Sequence, residues 1–181
     1  GSLEDAVAAT GHEVEWPKGW LRRATAELRL NRNREALASL KRGLSCAGKL
    51  AGQFLPLVTE CEAALYGDKD DEAPDTAAAR IQRFKTDGST CFEQGNFGTA
   101  VLFYTRALYH RSMMEGTNEA IVLSNRSGAF LKLALPSEAL ADALSSSERD
   151  PRWAKPLVRA GQAALLLDDF KSAYQHFAKA R

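Results

Sequence analysis

The chain lacks most of the features that announce chemistry. No apolar run approaches the roughly 20 residues needed to cross a bilayer. Its three cysteines, Cys46, Cys61 and Cys91, are odd in number, far apart and without CxxC spacing. That argues against a disulfide framework and for a reduced, intracellular, cytoplasmic chain in which cysteine packs as a small apolar side chain. The three histidines, His12, His110 and His176, are scattered, and none sits at metal-ligand spacing, so no metal is expected. The formal net charge is +1, which gives no excess of one sign to draw a nucleic acid or a membrane. No glycine-rich phosphate loop, HExxH, nucleophile elbow or carboxylate pair stands out. Neither catalysis nor a cofactor is expected. Sustained period-two alternation is missing too, so no sheet is predicted.

What remains is an ordinary globular composition, 45% hydrophobic and 26% charged over 181 residues, with a strong internal period. Small residues recur at separations of twelve and then seven positions. The sets are Ala24/Ala36/Gly43, Gly88/Ala100/Ala107, Ser127/Ala139/Ser146 and Gly161/Ala173/Ala180. The step from Ser127 to Gly161 is 34 residues, and that from Gly88 to Ser127 is 39, a repeat plus a short insertion. Small residues at these places let two helix axes approach closely. Larger apolar residues flank them at helical spacing: Phe84, Cys91, Val101 and Tyr104, then Leu123, Phe130 and Leu140, then Val158, Leu165 and Phe177. Asn31-Arg32-Asn33 and Asp168-Asp169 read as turns between paired helices, and Pro136-Ser137-Glu138 as a helix start.

This pattern resembles the tetratricopeptide-repeat (TPR) family. The best single stretch is Phe84–Leu108, with Gly88 at the helix crossing, Gly95-Asn96-Phe97 at the turn, and Ala100 and Ala107 on the second helix. Asp150-Pro151 closes the third copy in the manner of the family, and Pro151 suits a helix start. The resemblance covers residues 3–44 and 80–181. It implies an all-α solenoid of helix-turn-helix repeats, about ten helices, stabilised by stacking because no repeat buries its apolar face alone.

A longer period overlies the first. Residues 3–44 align without gaps on 140–181 at an offset of 137, with Leu3/Leu140, Asp5/Asp142, Ala6/Ala143, Trp16/Trp153, Lys18/Lys155, Arg22/Arg159 and Ala36/Ala173 identical. Residues 1–66 are therefore expected to be the last repeat or repeats of an upstream TPR domain, with Leu3–Thr10 as a second helix. The amphipathic stretch Gln53–Tyr66 would be its cap, with Pro56 near the start of that helix, where proline is tolerated. Residues 67–76 read as an acidic linker, and 77–181 as a second TPR domain of three repeats. The pattern ends at Arg181 without a cap, which predicts an exposed apolar edge there. Trp16, Trp20 and Trp153 are expected to pack at repeat junctions.

One branch of the family, co-chaperones of the Hsp-organising protein type, grips the acidic C-terminal tails of heat-shock chaperones with a carboxylate clamp. Its first-repeat motif, Lys-x-x-Gly-Asn, stands here as Lys85-Thr86-Asp87-Gly88-Ser89, with Ser89 in place of Asn. The second, Ser-Asn-Arg, is intact as Ser124-Asn125-Arg126. The third, Lys-x-x-x-Arg, is intact as Lys155 to Arg159. The resemblance thus implies a clamp of Lys85, Ser89, Asn125, Lys155 and Arg159 for an acidic, chaperone-tail-like C-terminal peptide. Lys18 and Arg22 match the third motif and imply an upstream half-clamp. Such lysines and arginines ordinarily just solvate a helical face, and Asn125 could simply brace the groove. Four matches in register favour the clamp. A general TPR scaffold binding an internal segment of another protein stays open, with an RNA-binding repeat the least favoured alternative.

Overall fold

The computed structural model describes residues 16–47, 50–66, 76–110, 112 and 114–181. The chain divides into two compact units, Gly1–Pro74 and Asp75–Arg181. Among the described residues there are nine α-helices and no strand. The first unit holds α1 (Pro17–Arg29), α2 (Asn33–Ser45) and α3 (Ala51–Tyr66). The second holds α4 (Ala77–Glu93), α5 (Phe97–Tyr109), α6 (Gly116–Lys132), α7 (Pro136–Arg149), α8 (Ala154–Leu166) and α9 (Phe170–Lys179). The helix expected over Leu3–Thr10 and residues 67–75 of the expected linker lie outside the described residues.

Each helix pair closes through the same turn. Asn31, Gly95, Ala134 and Asp168 all take positive φ, from 56° to 79°. In each case the next residue's N–H reaches back to a carbonyl of the helix just ended. Arg32 bonds Glu27, Asn96 bonds Cys91, Leu135 bonds Phe130 and Asp169 bonds Ala164, at 2.8–2.9 Å. This is the Schellman ending, which satisfies carbonyls that the helix terminus leaves bare. Only one of the four residues is glycine; Asn31 and Asp168 are of types that tolerate this conformation, and Ala134 takes it at a cost of about 1–2 kcal/mol. Helix starts are specified separately. Pro17 and Pro136 open α1 and α7. Thr76 Oγ1 accepts from the Ala79 N–H at 3.3 Å, and Asp169 Oδ1 from the Ser172 N–H at 3.0 Å.

Small residues set the packing distance. Every position of the small-residue series is buried except Ala180. A Cβ on Gly88 would stand 2.7 Å from Tyr104 Cε1, one on Gly161 2.6 Å from Phe177 Cε1, and one on Gly43 2.2 Å from Phe54 Cε1. Two serines of the series also pin helices together. Ser127 Oγ donates to the Ala139 carbonyl and Ser146 Oγ to the Ala120 carbonyl, each at 2.7 Å. In the second unit consecutive helices pack, and α4·α6 and α6·α8 also touch. The first helices of the repeats, α4, α6 and α8, therefore form one continuous row. At its far end Leu165, Leu166, Phe170 and Tyr174 are exposed.

In the first unit α3 packs on α2 and buries Phe54, Val58 and Cys61. Its helix begins at Ala51, so Pro56 lies inside it and not at its start. The position is solvent-exposed, and the residue four before it is Gly52. Water can reach the carbonyl that the proline leaves unbonded, which lowers the usual cost. Of the tryptophans, Trp20 is buried, while Trp16 and Trp153 are half-buried.

Candidate functional site

The row α4–α6–α8 carries all five of the clamp positions named from the sequence. Lys85 and Ser89 lie four residues apart on α4, and Lys155 and Arg159 four apart on α8, so each pair shares a helix face. Asn125 sits one turn before Gly128 on α6. Gly128 is the residue that α8 meets, because a Cβ there would come within 3.0 Å of Arg159 Nη2.

Arg159 is the best-fixed member. Its Nη1 donates to the Ser124 hydroxyl at 2.6 Å and to the Ser124 carbonyl. The rest of the guanidinium lies flat over Gly128, with Cζ 3.1 Å and Nε 3.3 Å from where a Cβ would be. A Cβ at this place would press on the fork and push it by a few tenths of an ångström. Burial pulls the Arg159 pKa below its ordinary value, with Tyr104 opposing the change. The group remains charged, because arginine starts far above neutral pH.

Lys155, one turn earlier, is exposed. Its pKa is lowered first by the charge of Arg159 and then by partial burial. Two cations thus face each other across one turn, and among the described residues no carboxylate pairs with either. Lys85 and Asn125 are half-buried, and their side chains make no hydrogen bond or ion pair with another described residue. An anion in this groove would relieve the repulsion and fill vacant donors.

Ser89 is half-buried. Its Oγ donates to the Lys85 carbonyl at 3.0 Å and lies 3.3 Å from the Tyr104 hydroxyl. Cys91, on the same helix, keeps its proton, because burial and then the Asp87 charge push the thiol pKa up. One turn beyond Arg159 the groove deepens into a cavity of about 570 Å³. Phe92, Leu131, Leu165 and Leu166 supply its apolar walls, and Lys132 and Arg159 its cationic rim.

Several participants were not legible in the sequence. Ser124 belongs to the Ser-Asn-Arg motif, but its service as the Arg159 acceptor needs the α6–α8 contact. Gly128 gave a local signal, being a glycine inside a helix pattern, where glycine is unfavourable without a reason. Arg126 points away from the groove. It holds Asp142 through Nε and Nη2 at 2.6 and 2.8 Å, and Thr105 Oγ1 through Nη1 at 3.0 Å. In the first unit, Lys18 and Arg22 are both exposed, and the Arg22 guanidinium stacks 5.7 Å over the Trp16 ring. Among the described residues no acceptor comparable to Ser124 holds it.

No family model matches the sequence. The chain is 28% identical over 113 residues to human tetratricopeptide repeat protein 28, covering 62% of this chain and 4% of that protein. It is 30% identical over 88 residues to a heat shock protein sti1 homolog of Schizosaccharomyces pombe, covering 49% of this chain and 14% of that one. The chain thus spans only a small part of the length of these relatives. Among solved structures, it is similar to the second TPR of Spaghetti (RPAP3) bound to the HSP90 peptide SRMEEVD. That likeness has a TM-score of 0.51 and 26% identity over 56% of this chain and 89% of that one. It also resembles the TPR2AB-domain:pHSP90 complex of yeast Sti1, with a TM-score of 0.52 and 18% identity over 99% of this chain and 81% of that one. The second likeness speaks for the fold alone.

Proposed function

We propose, for a chain built of tetratricopeptide repeats, that the α4–α6–α8 groove is a receptor for the acidic C-terminal peptide of a heat-shock chaperone. The chain would act as a non-enzymatic, cytoplasmic co-chaperone or adaptor module. Lys85, Ser89, Asn125, Lys155 and Arg159 are its clamp. The terminal carboxylates sit between Lys155 and Arg159, and Lys85, Ser89 and Asn125 supply further donors. The first unit is read as the end of a separate TPR domain. Its Lys18/Arg22 pair is the corresponding upstream half-clamp.

One observation carries this reading. Arg159 is held ready over Gly128 by Ser124 while Lys155, four residues away, has its pKa lowered by that neighbouring cation. Holding two like charges together has a cost, and a carboxylate ligand removes it. A related second TPR of Spaghetti (RPAP3), 26% identical, carries the HSP90 peptide SRMEEVD, which gives a probe of the right chemistry.

The test is a calorimetric titration of the protein with SRMEEVD. Lys155→Ala is expected to weaken binding about tenfold, the size of one charge-assisted hydrogen bond. The wild-type affinity is expected to fall as salt rises. An affinity unchanged in Lys155→Ala would remove the clamp and leave a scaffold that binds an internal segment of its partner.

A further inference from the structure

Ser89 is where the clamp departs from its pattern. Asparagine offers two amide donors and a long reach, whereas serine offers one donor on a short arm. The structure places a second hydroxyl directly behind it. Tyr104, on α5, is only 1% exposed, and its hydroxyl lies 3.3 Å from Ser89 Oγ. Ser89 has one hydrogen, and it is directed to the Lys85 carbonyl at 3.0 Å. The Tyr104–Ser89 contact therefore needs the phenol as donor and the serine oxygen as acceptor. The Tyr104 hydroxyl has no other hydrogen-bond partner among the described residues.

The tyrosine is also fixed in place. Its ring packs across the glycine crossing, with Cε1 2.7 Å from where a Gly88 Cβ would be. It also lies within electrostatic reach of Arg159. Burial raises its pKa, more than Ser89 and Arg159 lower it. The phenol consequently stays protonated and keeps its role as donor.

We propose that Tyr104 is a positioning residue of the groove, and that the Tyr104–Ser89 hydroxyl pair replaces the missing asparagine amide. Tyr104 donates to Ser89 Oγ. That leaves the single Ser89 hydrogen free to swing from the Lys85 carbonyl to an incoming carboxylate. The Lys85 carbonyl keeps its helical partner, so releasing the serine costs little. A chain of two hydroxyls ending on an anion strengthens each of its bonds. A buried residue on the second helix thereby contributes to a site built on the first helices.

This inference rests on the clamp reading, and a double-mutant cycle with SRMEEVD separates the two. Ser89→Ala and Tyr104→Phe are each expected to weaken binding about fivefold. The double variant is expected to bind no worse than Ser89→Ala alone, because the phenol acts only through the serine. A purely structural role for the phenol would not produce that coupling. Losses that multiply in the double variant would overturn the pairing. So would wild-type affinity in either single variant while Lys155→Ala is impaired. Wild-type affinity in Lys155→Ala would instead overturn the clamp reading and this inference with it.

Discussion

Arg159→Ala is expected to lower the affinity for SRMEEVD by at least about thirtyfold, corresponding to 2 kcal/mol or more. The magnitude follows from how the side chain is held. Nη1 is bound by Ser124, and the guanidinium plane rests on Gly128. Much of the rotamer entropy that an arginine loses on binding is therefore lost already on folding. Partial burial has also removed water from the group, so a carboxylate meets a desolvated fork. Arg159→Lys is expected to recover only part of the loss. A lysine keeps the charge but cannot bond Ser124 and a carboxylate along two edges of one plane. Titration calorimetry checks both variants, and thermal unfolding shows that each is folded at the titration temperature. Equal affinity in Arg159→Ala and wild type would contradict the site.

Arg126→Ala is expected to cost about 3–5 kcal/mol of stability in the second unit. The adjacent Asn125 has no such expected cost. Arg126 binds Asp142 bidentately at 2.6 and 2.8 Å and holds Thr105 at 3.0 Å. It thereby ties α6 to α7 and to α5 at once. Asp142 is 7% exposed. Without the guanidinium its carboxylate would be left buried and uncompensated. Arg126→Lys is expected to fall between, since an ammonium cannot reproduce the fork. Urea unfolding followed by circular dichroism measures the change. A loss under 1 kcal/mol would mean that Asp142 finds water or another partner.

The contrast between Asn125 and Arg126 shows what the sequence could and could not reveal. Both belong to one tripeptide, and their helical spacing sends them to different faces. The repeat, its turns and its small-residue crossings were legible because each leaves a one-dimensional trace. Gly88, Ala100 and Ala107 recur with their counterparts, and Asp168-Asp169 marks a chain reversal. The partners of Arg159 and Arg126 were not legible. Ser124 and Asp142 reach them only once α6 has packed against α8 and α7. The Tyr104 hydroxyl was hidden for the same reason, because its position reads as an ordinary aromatic of the core. Pro56 misled by propensity. Its cost depends on solvent exposure, which the sequence does not display.

The central claim is that the groove recognises a free C-terminal carboxylate. SRMEEVD and the same peptide with its C-terminus amidated differ only in that group. Amidation is expected to weaken binding at least about tenfold, since it removes the negative charge proposed to sit between Lys155 and Arg159. Equal affinities for the two peptides would contradict it.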